Sequence, residues 1–134
     1  MKNNKKSLSI SIIICTYNSE ATIDDTIKSI IEQNFKDYEV VIVDNNSTDK
    51  TVEIIKSYDL KKQQIFIEKD NGLYSAINKG ILLANGDIIS ILHSNDFYYD
   101  NNTLTNIVEI FTLRNLDIVY GDLLYVKEHN KNSI

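Results

Sequence analysis

Ser9-Ile10-Ser11-Ile12-Ile13-Ile14-Cys15-Thr16-Tyr17-Asn18 is a short β-branched run that ends abruptly in polar-tipped residues. β-Branched side chains fit a pleated, enclosed surface, so residues 9–15 read as a strand. The period then changes, with Ile23, Ile27, Ile30 and Ile31 sharing one helical face. The same alternation repeats along the chain. Strands are expected at about residues 39–43, 64–67 and 87–92, and two further helical faces are formed by Val52, Ile55 and Tyr58 and by Leu73, Ala76, Ile77, Gly80 and Ala84. Strands separated by helices are βα crossovers. The expected class is therefore α/β: an open, mostly parallel sheet in the order 3-2-1-4, with helices on both faces and right-handed crossovers.

A fourth helix is expected over residues 103–113, where Leu104, Ile107, Val108 and Phe111 fall on one face and Asn102 or Thr103 can cap the start. Beyond it, residues 117–120 and 123–126 read as short additional strands around Gly121 and Asp122. The polar residues from Lys127 onward and the leader from Met1 to Lys6 are expected to fray.

The 134 residues amount to about one domain, expected to span residues 1–134. With 43% hydrophobic and 25% charged residues, the chain has ordinary globular usage, which argues against wholesale disorder. Nineteen acidic residues against fourteen Lys and Arg give a net charge of −5, so a nucleic-acid partner is not expected. No run approaches the roughly 20 apolar residues of a membrane span. A single cysteine, Cys15, cannot form an internal disulfide and fits a reducing compartment. The expected location is the cytoplasm, with the inner face of a membrane as a peripheral alternative.

Ligands of open α/β sheets bind at the carboxyl ends of the strands. All four of those ends are polar here: Thr16-Tyr17-Asn18, Asp44-Asn45-Asn46-Ser47-Thr48-Asp49, Glu68-Lys69-Asp70-Asn71-Gly72 and His93-Ser94-Asn95-Asp96. Ser19, Ser47 and Thr48 read first as helix caps. Asp44 and Asp96 follow apolar strands too closely to be random solvated charge and are read as functional. The first turn contains no glycine, which excludes the dinucleotide fingerprint, and no Walker-type loop is present. Nucleophilic catalysis is poorly supported, because Cys15 reads as a core residue and His93 and His129 have no orienting partner in sequence.

The segments Ser11 to Asn18, Val43 to Asp49, Glu68 to Tyr74 with Asn78-Lys79-Gly80, and Ala84-Asn85-Gly86-Asp87 leading to Ser94-Asn95-Asp96 together resemble family 2 glycosyltransferases of the Rossmann-like GT-A fold. The resemblance runs from about residue 7 to residue 122 and corresponds to the family's N-terminal nucleotide-sugar-binding portion. It implies an inverting transferase that moves a sugar from a nucleotide-diphosphate donor, UDP-sugar foremost, in bacterial cell-surface polysaccharide or glycoconjugate biosynthesis. The acceptor, a saccharide or a lipid-linked sugar, is left open. By this resemblance Thr16, Tyr17 and Asn18 lie along the nucleoside, and Asp44 accepts a hydrogen bond from the base. Asp70, Asn71 and Gly72, with Asn78 and Lys79, approach the ribose and diphosphate. Asn95 and Asp96 occupy the Asp-x-Asp-like element, where Asp96 would hold Mg²⁺ or Mn²⁺.

Two departures accompany the resemblance. Ser94-Asn95-Asp96 stands where relatives commonly carry consecutive aspartates, so a weaker metal site is expected. The family also continues past this point to supply a catalytic base and the acceptor half. The chain therefore reads as truncated, the base is unassigned, and Asp122 reads as a turn residue. A non-catalytic nucleotide-sugar-binding module, or a subunit completed by another chain, is the competing reading. A flavodoxin-like regulatory protein explains the four polar strand ends less well. An uncovered sheet edge would leave room for homo-oligomerisation, and removal of Asp44 is expected to leave folding almost untouched.

Overall fold

A computed structural model describes residues 7–60 and 62–126. In chain order the elements are β1 (Ile10–Thr16), α1 (Ile23–Ile31), β2 (Tyr38–Asp44), α2 (Thr51–Ser57), β3 (Gln63–Ile67), α3 (Leu73–Leu83), β4 (Ile88–Ile91) and α4 (Thr103–Arg114). The strands form one sheet in the order β3-β2-β1-β4, and every pairing is parallel. This is the order expected from the alternation of periods. β1 and β2 each run one residue further than the sequence pattern indicates, so Thr16 and Asp44 are register partners on the last rung rather than loop residues.

Side chains of β1 alternate between two unequal layers. Ile10, Ile12 and Ile14 join Val40, Ile42, Ile88 and Leu92 in a core closed by Ile23, Ile27 and Ile30 of α1, Ile55 of α2 and Leu104 of α4. Filling such positions contributes about 1.5–3 kcal/mol per large aliphatic side chain. The opposite face is covered by α3, which packs on β1 and β2. A Cβ at Gly80 would lie 2.4 Å from Ile13 Cγ2, so the bare glycine lets α3 sit directly on the central strand. α3 does not reach over β4, whose Ile89 and Ile91 on that face remain 40% and 47% exposed.

The short strands expected over residues 117–120 and 123–126 do not form. α4 ends at Asn115 in a left-handed turn (φ 48°, ψ 52°), and the chain continues in irregular backbone with Tyr120 90% exposed. Short apolar runs make a strand only when a neighbouring ladder satisfies their main chain. Among the described residues this segment pairs with no strand. The fraying expected for residues 1–6 and from Lys127 lies outside the described residues. At the start of α4 neither expected cap operates through its side chain. Asp100 Oδ1 instead accepts from Asn102 N at 2.9 Å, and Thr103 Oγ1 donates back to Asp100 O at 3.1 Å.

Before β4, Gly86 N donates to the buried Ser11 Oγ at 2.7 Å, and a Cβ at Gly86 would stand 2.6 Å from Ser11 N. That collision is with main chain, which has no rotamer to yield. Gly86→Ala is therefore expected to destabilise the protein by about 1–3 kcal/mol, read as a lower urea midpoint at unchanged m-value.

Candidate functional site

The rim at the carboxyl ends of the strands is organised around a buried carboxylate. Asp44 is 0% exposed. Its Oδ1 accepts from Thr16 Oγ1 at 2.7 Å and from Ser47 Oγ at 2.6 Å, and its Oδ2 accepts from Ser47 N at 2.8 Å. Three donors compensate the loss of hydration that an enclosed carboxylate suffers. Ser47 Oγ also accepts from Asn18 N at 2.9 Å, and Asn18 Oδ1 accepts from Thr48 N at 2.9 Å. The first two strand-end loops are thus tied into one body.

Both loops turn without glycine. Asn18 (φ 46°) and Asn46 (φ 53°) take the left-handed conformation, which asparagine tolerates better than most residues. Ser47 and Thr48 do not cap α2. Asp49 does so from two residues ahead, its Oδ1 accepting from Thr51 N at 2.9 Å and from Thr51 Oγ1 at 2.6 Å. Tyr17, at 60% exposure, leaves an aromatic ring on the rim.

The third loop joins through Asn45, a residue the sequence reading passed over. Asn45 N donates to Thr16 O at 2.9 Å, while its Oδ1 accepts from Asp70 N at 2.9 Å. The only sequence signal for this role was its place beside Asp44. Asp70 Oδ1 accepts from Gly72 N at 2.9 Å, and Gly72 (φ 111°, ψ 173°) starts α3 in a conformation that requires glycine. Asn71 and Asn78 are exposed. Lys79 forms an ion pair with Glu68 and stands 5.4 Å from the centre of the Phe66 ring. It is therefore anchored on β3, two turns into α3 rather than at the helix N-terminus.

The fourth loop follows β4. Asp96 N donates to His93 O at 3.0 Å, closing a turn that leaves His93 and Asn95 exposed. Ser94 Oγ lies 2.8 Å from Ser19 Oγ, which connects this turn to the first loop. The Asp96 carboxylate has no hydrogen-bond or ion-pair partner among the described residues. Nor do three His, Cys, Asp or Glu side chains gather anywhere among them. Asp122 is exposed in the irregular stretch after α4.

Cys15 is half-buried on the face opposite the main core. Burial, and secondarily the charge of Asp70, pushes its thiol up to about 11. It is accordingly a packing residue at neutral pH.

A parallel 3-2-1-4 sheet whose polar loops are knitted together at the strand ends defines an open α/β protein with its candidate site at the carboxyl ends of the strands. Residues 11–133 match the family model for glycosyl transferase family 2, and the chain belongs to that family. Among curated proteins it is 34% identical over 118 residues to the PGL/p-HBAD biosynthesis glycosyltransferase of Mycobacterium bovis, a match covering 85% of this chain and 46% of that protein. Among solved structures it superposes with TM-score 0.73 and 27% identity on S. aureus TarS 1-349 in complex with UDP-GlcNAc, covering 78% of this chain and 31% of that one. The mannosyltransferase PcManGT from Pyrobaculum calidifontis, in complex with GDP-Man and Mn²⁺, matches with TM-score 0.74 and 25% identity over 82% of this chain and 34% of that one. The fold is GT-A. The chain spans less than half the length of these relatives.

Two outcomes follow from this geometry. Asp44→Ala strips the buried donors of Thr16 and Ser47 of their acceptor and is expected to cost about 1–3 kcal/mol of stability by urea denaturation, which replaces the sequence-based expectation that folding is untouched. The thiol of Cys15 should react with iodoacetamide at pH 8 roughly a hundredfold more slowly than a thiol at its ordinary value, with the rate rising about tenfold per pH unit until near pH 11.

Proposed function

We propose that this chain is the donor-binding part of an inverting glycosyltransferase and that its strand-end rim holds a nucleotide-diphosphate sugar, a UDP-sugar foremost. The observation that carries this reading is the continuity of the rim, from Thr16 and Asp44 through Asn45 and Asp70 to Ser19 and Ser94, in a chain of family 2. The likeness to TarS bound to UDP-GlcNAc supports the uridine choice. PcManGT with GDP-Man is the relative that keeps guanosine as the alternative.

In this reading the exposed Tyr17 ring lies along the base. Asp44 contributes by fixing Thr16 and Ser47, since its own oxygens are already engaged. Asn45 presents its amide N–H groups, because its carbonyl oxygen is occupied by Asp70 N. Asp70, Asn71 and Gly72 bring the N-terminus of α3, with its partial positive charge, toward the ribose and diphosphate. Lys79 acts from behind, through Glu68 and the edge of β3.

Transfer would break the bond between the anomeric carbon and the diphosphate oxygen while an acceptor hydroxyl attacks from the opposite side and surrenders its proton. The leaving diphosphate takes up negative charge that must be stabilised. Asp96 fits a role beside it: a carboxylate without a partner among the described residues, on a turn whose main chain is fixed, with the Asn95 amide adjacent. Oxygen donors of this kind suit Mg²⁺ or Mn²⁺, which when bound neutralises diphosphate charge. A single carboxylate makes that site one completed by the nucleotide's own oxygens. A cytoplasmic setting, or the inner face of a membrane, fits a donor made inside the cell. The acceptor and the base are unassigned.

Calorimetric titration with UDP checks the reading. Affinity should rise on adding Mn²⁺ and fall with EDTA. Asp96→Ala should abolish the Mn²⁺ increment while leaving weaker metal-free binding, and Tyr17→Ala should weaken binding by about 1–3 kcal/mol with or without metal. UDP binding indifferent to EDTA and to both substitutions would overturn it.

A further inference from the structure

α1 carries a second stripe besides its isoleucines. Thr22, Thr26, Ser29 and Gln33 recur at spacings that place them on one side of the helix and its flanking turns. Polar side chains on helices usually face solvent or bond back to their own turn. These do neither alone, since Thr26 and Gln33 are each only 1% exposed and Ser29 is buried.

All four reach the main chain of the segment between β4 and α4. Thr22 Oγ1 donates to Ser94 O at 2.8 Å. Thr26 Oγ1 stands 2.7 Å from Asp96 O and 3.1 Å from Ser94 O, and with one proton to give, its shorter contact is the bond to Asp96. Ser29 Oγ accepts from Tyr98 N at 3.1 Å. Gln33 Nε2 donates to Asp100 O at 2.6 Å, and its Oε1 accepts from Leu104 N at 3.0 Å in the first turn of α4. Four main-chain groups of a segment with no regular structure of its own, at Ser94, Asp96, Tyr98 and Asp100, are thus bonded from one side of α1 and its flanking turns.

The effect is concentrated at Asp96. Its N–H is closed onto His93 O and its carbonyl is gripped by Thr26, so the residue is fixed on both sides while its carboxylate has no partner among the described residues. Four apolar residues in the stripe could fill the same space but could not set the height of a backbone. We infer that Thr22, Thr26, Ser29 and Gln33 are positioning residues that hold Asn95 and Asp96 at the level of a bound diphosphate, with Thr26 the decisive one. This rests on the role given to Asp96 above.

Thr26→Val removes the hydroxyl at nearly constant shape, and Thr26→Ser keeps it. Two measurements are compared with the parent chain: amide hydrogen exchange of peptides covering residues 92–104 without nucleotide, and UDP affinity with and without Mn²⁺. Thr26→Val should speed exchange in that segment and cut the Mn²⁺ increment roughly two- to tenfold, the effect of one lost hydrogen bond, while leaving metal-free UDP affinity unchanged. Thr26→Ser should restore both. The partly exposed Thr22→Val should give the same pattern more weakly, and it decides the matter if Thr26→Val fails to fold. A folded Thr26→Val or Thr22→Val with parental exchange, or with the full Mn²⁺ increment, overturns the inference. A parent chain with no Mn²⁺ increment at all overturns the role of Asp96 itself, and that failure is recognisable before any substitution is made.

Discussion

A carboxylate with no access to water survives at the end of β2 because three donors converge on it, and the rest of the rim is arranged by that requirement. Thr16 can serve Asp44 only because parallel pairing makes the two residues register partners. Ser47 can serve it twice only if the chain turns back within three residues, which Asn46 allows by taking a left-handed conformation. Once Ser47 is fixed, Asn18 finds its partners on the same loop, and Asn45 is left facing the start of α3. One desolvated charge therefore dictates the course of three loops. The energy involved is asymmetric: intact, such a network adds modestly to stability, whereas opening it strands several buried groups at once.

The sheet beneath is supported unequally. Three helices close one face, while α3 alone covers the other and does so by pressing Gly80 onto Ile13. That close approach brings the start of α3 beside the ends of β1 and β2, and so determines where the N–H groups of its first turn point. Packing density at Gly80 and the direction of the first-turn N–H groups beyond Gly72 are two ends of the same helix placement.

Much of this was legible in the sequence, for identifiable reasons. Strands and helices announced themselves through period, and the strand order followed from the crossover rule and the family likeness. What escaped was whatever depends on a partner distant in sequence. Asp44 reads as a functional acid closing a strand, and nothing local reveals that Thr16 lies beside it. Asn45 was passed over beside Asp44, and Thr26 and Gln33 drew no reading because their partners Asp96 and Asp100 lie far along the chain. The error at residues 117–126 has the same origin in reverse: short apolar runs flanking Gly121 and Asp122 do not suffice for strands, because a strand also needs an edge to pair with. Of the candidate site, the sharing of one rim by four polar strand ends was legible, while the bonds that tie their residues together awaited the three-dimensional contacts.

The absence of glycine from the first two rim loops has its own consequence. Asn18 bends the chain and also bonds Thr48 through its side chain, whereas a glycine would bend it and keep only the main-chain bond to Ser47. Shape and stiffness are therefore partly separable at this position. Asn18→Gly would keep the curve of the loop and release one of its two links to the neighbouring strand end, loosening a braced corner. A rim made this way can be loosened by one substitution without being redrawn, while the sheet that carries it stays as it is.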